Sequence, residues 1–350
     1  MNLEERHVNA LSDVLKTGID GWTDIVDLQP MFFKMTLELM TEFLYGHSPS
    51  QMSRKPDAPS TQEFGHHFDA GKAWVNLRMA LGRWHWLVHS PAFSLHCKKV
   101  HQYVDYFVKA KLQQGSEVTE TKLAPTKFAT REKFVLLDEL AKQTRNPLEI
   151  RGETLSVLGA GRDTTASLLT WIFYFLSRSP RTFGKLRGTI LEIFGTEASS
   201  IDFLKLRSCQ YLQHCINETL RMTAVVPILE RESLEDTILP RGGGPDGTKP
   251  VFIPKGQRVL ISTYALAQRS DIWGDHPEDF IPQRWEHRKV GLEFIPFGGG
   301  PRKCIGRKPA LSPFQNHIDT DTRFLEQFAL TEVSVCLSQI SSRPMLSLTE

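Results

Sequence analysis

The chain lacks the marks of several specialised classes. None of its five cysteines (97, 209, 215, 304 and 336) pairs with another in a CxxC. An odd count without that spacing argues against a disulfide framework and against a zinc site, and it fits a reducing compartment. Long hydrophobic runs are missing too. The longest predominantly apolar stretch, Leu168 to Leu176, spans nine residues, well short of a membrane-crossing helix. The opening MNLEERHVN is polar, so the sequence predicts neither a signal peptide nor a membrane span. Charge of one sign is scarce: a net +2 gives no reason to expect a nucleic-acid partner. No repeat or low-complexity tract is visible.

What is present fits a globular chain. With 350 residues there is material for one large domain or two ordinary ones, and for a substantial core. The first half reads as helices. LEERHVNALSDVLK and QPMFFKMTLELMTEFLYG carry apolar residues at three-to-four spacing. A loop rich in Ser, Pro, Gln and Lys is predicted at 47–62, further helices over 63–87 and 93–113, and another loop at 114–129. PLEIRGETLSVLGAGRDTTASLLTWIFYFLSRSP then predicts one long helix, starting after Pro147 and stopped at Pro180. SIDFLKLRSCQYLQHCINETLRM reads as one more. After it Pro and Gly become dense, and TILP, PVFIP and RVLIS read as short strands around the turn RGGGPDGTKP. The expected class is mainly α with a minor β-sheet, ending in irregular coil.

That coil contains FGGGPRKCIG, Phe297 to Gly306. Its glycines and nearby lysine suggest a phosphate cradle, but the GxxxxGK[ST] spacing is missing. A buried structural cysteine is the ordinary alternative for a single thiol. Arg302 and Lys303 argue against it, because positive charge beside the sulfur and loop amides aimed at it favour a thiolate. A stable thiolate is a nucleophile or a metal ligand. A nucleophile needs a histidine base, and His276, His287 and His317 are available without a diagnostic neighbourhood. An axial ligand to haem iron needs only a loop lying flat against the ring, which glycines permit.

The pattern Phe297-x-x-Gly300-x-Arg302-x-Cys304-x-Gly306 resembles the haem-thiolate signature of the cytochrome P450 monooxygenases. Three further segments resemble family motifs in the family's order. AGRDTT, Ala160 to Thr165, lies inside the long helix. Gly159 and Gly161 each cost about 1 kcal/mol against alanine there, and close approach of a cofactor is the expected reason. Thr164 is placed to bond back to the carbonyl four residues earlier. Asp163 and Thr164 supply proton-bearing groups in an apolar helix, in what the resemblance makes the oxygen-activating groove. Glu218-Thr219-Leu220-Arg221 sets Glu218 and Arg221 on one helix face, although ExxR is commonplace on solvated helices. FIPQRW, Phe280 to Trp285, resembles the segment whose arginine joins that pair, with Gln283 where the family has Glu. The resemblance implies that Glu218, Arg221 and Arg284 form a structural lock behind the haem loop. LPRGGGPDGTKPVFIPKG (239–256) and VDLQPMFFKMTLELMTEFLYG (26–46) are similar to the fungal branch that hydroxylates alkanes and fatty acids. Ala267-Gln268 replaces the usual His-Arg before Arg269.

The resemblance implies a single cytochrome P450 domain over 1–350, incomplete at its N-terminus. RKPALSPFQNHIDTDTRFL (307–325) is an insertion or a retained intron ahead of EQFALTE at 326–332. Haem would be held by Cys304 as the iron ligand, with Arg302, Phe297, Gly298, Arg231 and Gly161 about the cofactor, Arg231 as a propionate partner. Asp163 and Thr164 would be catalytic. The implied reaction inserts one oxygen atom from O2 into a C–H bond of an apolar substrate, a fatty acid or alkane. Electrons would come from NADPH through NADPH-cytochrome P450 reductase, docking near the basic residues beside Cys304. Family members usually sit on the cytosolic face of the endoplasmic reticulum membrane; with no transmembrane segment in 1–350, the location is left unassigned. Two rivals stand: an inactive fragment of such an enzyme that binds haem poorly, and a cysteine-nucleophile hydrolase.

Overall fold

A computed structural model describes residues 3–15, 25–47, 60–117, 135–195, 203–289 and 291–305. The chain is mainly helical with two small antiparallel sheets. It divides into two compact units, Met1–Leu11 with Asp27–Ala166 and Ser12–Val26 with Ser167–Glu350. The boundaries at Leu11/Ser12 and Ala166/Ser167 each fall inside a continuous helix.

In the first unit, α2 (Leu28–Tyr45) starts at an Asp27 cap, whose carboxylate accepts from Gln29 N at 3.0 Å. It stops at Gly46, where φ is 79° and the amide donates to Glu42 O. Phe32, Leu39, Met40, Phe43 and Leu44 bury its core face. From α1 (Leu3–Val14), Arg6 and His7 each reach the buried Glu42 carboxylate at 2.7 Å. Next come α3 (Thr61–Leu81), capped by Ser60, and α4 (Pro91–Glu117). Phe64 of α3 stacks on Tyr103 of α4 at 4.0 Å, and Tyr45 of α2 stacks on Phe107 of α4 at 4.5 Å. These rings form the centre of the unit.

Several boundaries differ from the sequence expectation. The helix expected over 63–87 leaves α geometry at Gly82, whose φ is 52°, and runs on as a 3-10 helix to Leu87. The next begins at Pro91, at a position where the missing amide is no loss, and reaches Glu117, into the stretch expected to be loop. Residues 48–59 and 118–129 of the two expected loops lie outside the described residues. A short helix, α5 (Leu136–Gln143), was not expected; it turns Leu136, Leu137 and Ala141 inward.

The long helix is present as α6 (Pro147–Ser177). Pro180 does more than stop it, since it opens α7 (Pro180–Phe194), another helix the sequence reading missed. The single helix expected over 200–222 is two. At Cys209 a ψ of 84° takes the chain out of the helix between α8 (Phe203–Ser208) and α9 (Gln210–Thr223). Strands β1 (Ile228–Glu232), β2 (Thr237–Gly243), β3 (Lys249–Ile253) and β4 (Arg258–Ser262) come next. β1 pairs antiparallel with β4, setting Arg231 opposite Val259, while β2 pairs with β3 through a bulge between Leu239 and Gly243. β1 was not expected as a strand. Short helices α10 (Thr263–Ala267) and α11 (Ser270–Trp273) lead into 3-10 turns at Pro282–Trp285 and Gly300–Arg302. No helix among the described residues is long and apolar enough to cross a membrane.

Candidate functional site

The site is built on a buried ion pair. Glu218 and Arg221 sit on one face of α9, both fully buried. Arg221 donates from Nε to Glu218 Oε2 at 2.9 Å and from Nη2 to Oε1 at 3.0 Å. Its Nη1 donates to Ala267 O at 2.8 Å, and its guanidinium lies 5.3 Å from the centre of the Trp273 ring. The carboxylate takes two more donors, Ile281 N on Oε1 at 3.0 Å and Trp285 Nε1 on Oε2 at 2.9 Å. Arg284 approaches from the same 3-10 turn, its Nε 3.4 Å from Oε1. It also ties the preceding coil together, donating from Nη1 to Trp273 O at 2.9 Å and from Nη2 to His276 O. The structure thus brings Glu218, Arg221 and Arg284 together. Desolvating two charges is tolerable only with this density of partners.

Sequence reasoning missed two members of this cluster, Trp285 and Trp273. The departures it noted have local explanations. Arg221 binds the carbonyl of Ala267, so that bond is indifferent to the side chain there. Gln283 donates to Tyr211 Oη at 3.3 Å, and burial pushes the Tyr211 hydroxyl up to about 12.

The cysteine loop is a closed turn in the same unit. Cys304 N donates to Phe297 O at 2.8 Å, Gly298 N to Ile295 O at 2.9 Å, and Lys303 N to Gly300 O at 3.2 Å. Gly298 and Gly300 have φ of 71° and 70°, left-handed values that side chains resist. Phe297 is half-buried and Gly298 buried, while Arg302, Lys303 and Cys304 are exposed. A Cβ at Gly298 would meet Leu229 Cδ1 at 3.8 Å, whereas at Gly299 and Gly300 it would meet nothing within 4 Å. The thiol therefore sits beside open, glycine-walled space. Cys209 and Cys215 are the opposite case, buried and with thiol pKa values raised by that burial. Arg231, on β1, is exposed and donates to the carbonyl of Glu230 at 2.7 Å. Gly306 lies outside the described residues.

AGRDTT belongs to the first unit. Thr164 Oγ1 donates to Ala160 O at 2.7 Å, the back-bond its position on the helix leads one to expect. Asp163 is held at both oxygens, Oδ2 by Lys72 Nζ of α3 at 2.6 Å and Oδ1 by Arg162 Nη1 at 3.2 Å. Arg162 is buried, forks onto Asp69, and packs between the rings of Phe33 and Phe68. Burial tends to raise the Asp69 pKa, but Arg162 and Lys72 outweigh it and hold the carboxyl below its usual range. Neither Lys72 nor Asp69 carries a motif, so nothing local in the sequence singled them out. Gly161 faces protein where a cofactor was expected: a Cβ there would lie 2.6 Å from Met40 Sδ of α2.

Residues 5–333 match the family profile described as Cytochrome P450. The chain belongs to the cytochrome P450 family. Among its relatives, "Cytochrome P450 monooxygenase g430" from Fusarium sp is 43% identical over 322 residues, covering 89% of this chain and 56% of that protein. "Cytochrome P450 52A10" from Candida maltosa is 37% identical over 329 residues, 90% of this chain and 58% of the relative. "Cytochrome P450 52E1" from Candida apicola is 35% identical over 345 residues, 93% and 64%. All three come from fungi, and the chain spans 56–64% of their length. Haem with a cysteine thiolate is general in this family, and the residues at Cys304 fit it. One soft donor stands exposed on a turn whose neighbouring glycines leave room for a flat ring.

Proposed function

We propose that this P450 chain is a haem-thiolate monooxygenase that inserts one atom of O2 into a C–H bond of an apolar substrate. The observation that carries the reading is the exposed Cys304 thiol on a glycine-walled turn, in the unit locked by Glu218, Arg221 and Arg284. Bound haem would supply iron that activates dioxygen through a thiolate ligand. Cys304 would be its protein ligand, Gly299 and Gly300 would let the ring lie close, and Arg302 and Arg231 would supply positive charge for its carboxylates. Thr164 and Asp163 would move protons on the oxygen side. For Thr164 this requires its hydroxyl to turn from Ala160 O, and for Asp163 that Lys72 share its carboxylate.

Electrons would arrive from NADPH through NADPH-cytochrome P450 reductase, with exposed Arg302 and Lys303 available for docking. A fatty acid or alkane substrate is supported by the likeness of 239–256 and 26–46 to the fungal branch acting on such compounds. We read 1–350 as one domain of this kind.

The test is the spectrum of the purified chain after reduction and addition of carbon monoxide. The parent should show the thiolate-haem band, Cys304→Ala should lose it, and Cys209→Ala should keep it. A chain that never takes up haem would favour the inactive fragment. Inactivation of a haem-free enzyme by a thiol reagent would favour the hydrolase.

A further inference from the structure

Where α3 packs on α4, three imidazole rings meet. His67 Nδ1 of α3 lies 2.8 Å from His96 Nδ1 of α4. His66 is the third: its ring centre is 5.3 Å from that of His67 and 6.1 Å from that of His96, and the His67 and His96 centres are 5.1 Å apart. The stack of Phe64 on Tyr103 holds the two helices together beside them. His67 and His96 are half-buried, and His66 is exposed. A hydrogen-bonded pair of histidines is an ordinary contact. The third ring, at a similar spacing from both, sets this one apart.

The spacing is that of ligands. A zinc ion binds imidazole nitrogen at about 2.0–2.1 Å, so two rings on one tetrahedral ion have their centres about 5 Å apart and their nitrogens about 3.3 Å apart. From 2.8 Å, the His67 and His96 nitrogens need to part by only about half an ångström. The proton between them moves to the far nitrogen of its own ring, a change of tautomer without change of charge. Both rings then offer a lone pair to the same point. Among the described residues no three metal-ligating side chains already converge; the third ligand comes from His66, which turns its ring on the solvent side. Glu63 and Lys99 act on the His67 ring with opposite signs, so selectivity falls to the nitrogens. Imidazole suits zinc, copper and nickel, whereas magnesium and calcium prefer oxygen.

We propose that His66, His67 and His96 form a binding site for a divalent transition-metal ion of the zinc class, with water in the fourth position, that clamps α3 to α4. α3 also carries Asp69 and Lys72, which hold Arg162 and Asp163 of α6, so the ion would stiffen the helix that contacts AGRDTT. The site lies wholly within the first unit, and the proposal is independent of the haem reading.

The test is calorimetric titration of the chelator-treated full chain with Zn2+ near neutral pH. His66→Gln, His67→Gln and His96→Gln should each weaken one binding event about tenfold or more. His101→Gln should keep it, because that histidine of α4 lies beside Arg151 and Asp105 instead, and Cys304→Ala should keep it as well. A second readout needs no variant. Zn2+ should raise the melting temperature of the parent, since the ion binds only the folded helix pair, and mildly acidic pH should abolish the rise as protons compete for the nitrogens. Mg2+ should give neither binding nor a rise. Unchanged affinity in any of the three histidine variants, a parent whose melting ignores Zn2+, or an equal response to Mg2+ would each overturn the proposal.

Discussion

Arg221 is the residue on which most depends. It is fully buried, and its contacts join α9 to α10 and to the coil before Arg284. Removing its guanidinium leaves the buried Glu218 with two neutral donors and only the longer 3.4 Å approach of Arg284 Nε as a cation, a loss of about 3–5 kcal/mol against a usual domain stability of about 5–15 kcal/mol. Arg221→Ala should therefore unfold the second unit or shift its urea midpoint far down. Glu218→Gln should do much the same, since the amide nitrogen must face the Trp285 or Ile281 donor. A midpoint within error of the parent would reduce the pair to an ordinary bridge. The spacing of the two residues was visible in the sequence because i, i+3 fixes a shared face; their burial was not, because it depends on Trp273 and Trp285 arriving from distant segments. Gly161 is a second case. Alanine there gains about 1 kcal/mol of helix propensity, yet its Cβ would meet the buried Met40 sulfur at 2.6 Å. We expect Gly161→Ala to destabilise the parent and to do so less in a Met40→Ala background, with a coupling of roughly 1 kcal/mol by a double-mutant cycle. Additive effects would show that Met40 moves aside without cost.

Among the elements, long periodic helices were readable to within a few residues, as α2 and α6 show. Such runs carry several turns of one-sided apolar spacing. α5 has only eight residues, too few to establish a period, and β1 (ILERE) is two apolar residues followed by three charged ones, without alternation, on a mostly exposed strand that only its pairing with β4 defines. Contacts between elements were less visible still. His67 of α3 and His96 of α4 lie with their Nδ1 atoms 2.8 Å apart, one donating and the other accepting, so at least one ring must stay neutral. Partial burial holds the His67 pKa below its ordinary 6.5, helped by His96, His66 and Lys99 and opposed by Glu63. A histidine lowered by the fold adds stability above its unfolded pKa, and that stability is lost as pH falls through about 6.5 toward the folded value. Melting temperature should decline across that window, and His67→Gln should flatten part of the decline. An identical pH profile in the variant would rule the pair out as its source.

For the molecule as a whole, the family match runs through residue 333 and so across the segment 307–325, which lies outside the described residues. The cysteine turn is complete up to Cys304 and Ile305. The sequence of 307–325 is polar and carries Pro309 and Pro313, each costing about 3 kcal/mol inside a helix. Deleting 307–325 joins Cys304-Ile305-Gly306 to Glu326-Gln327-Phe328-Ala329, a sequence able to start a helix beside the sulfur. The positive end of a helix there would favour the thiolate. The deleted chain should therefore retain more haem per mole through gel filtration than the parent, with the Cys304→Ala deletion as the blank. Equal or poorer retention would make the segment a tolerated part of this protein. The origin of the segment is a separate matter, read from mature transcripts: if every message encodes 307–325, the intron explanation fails whatever the haem measurement shows.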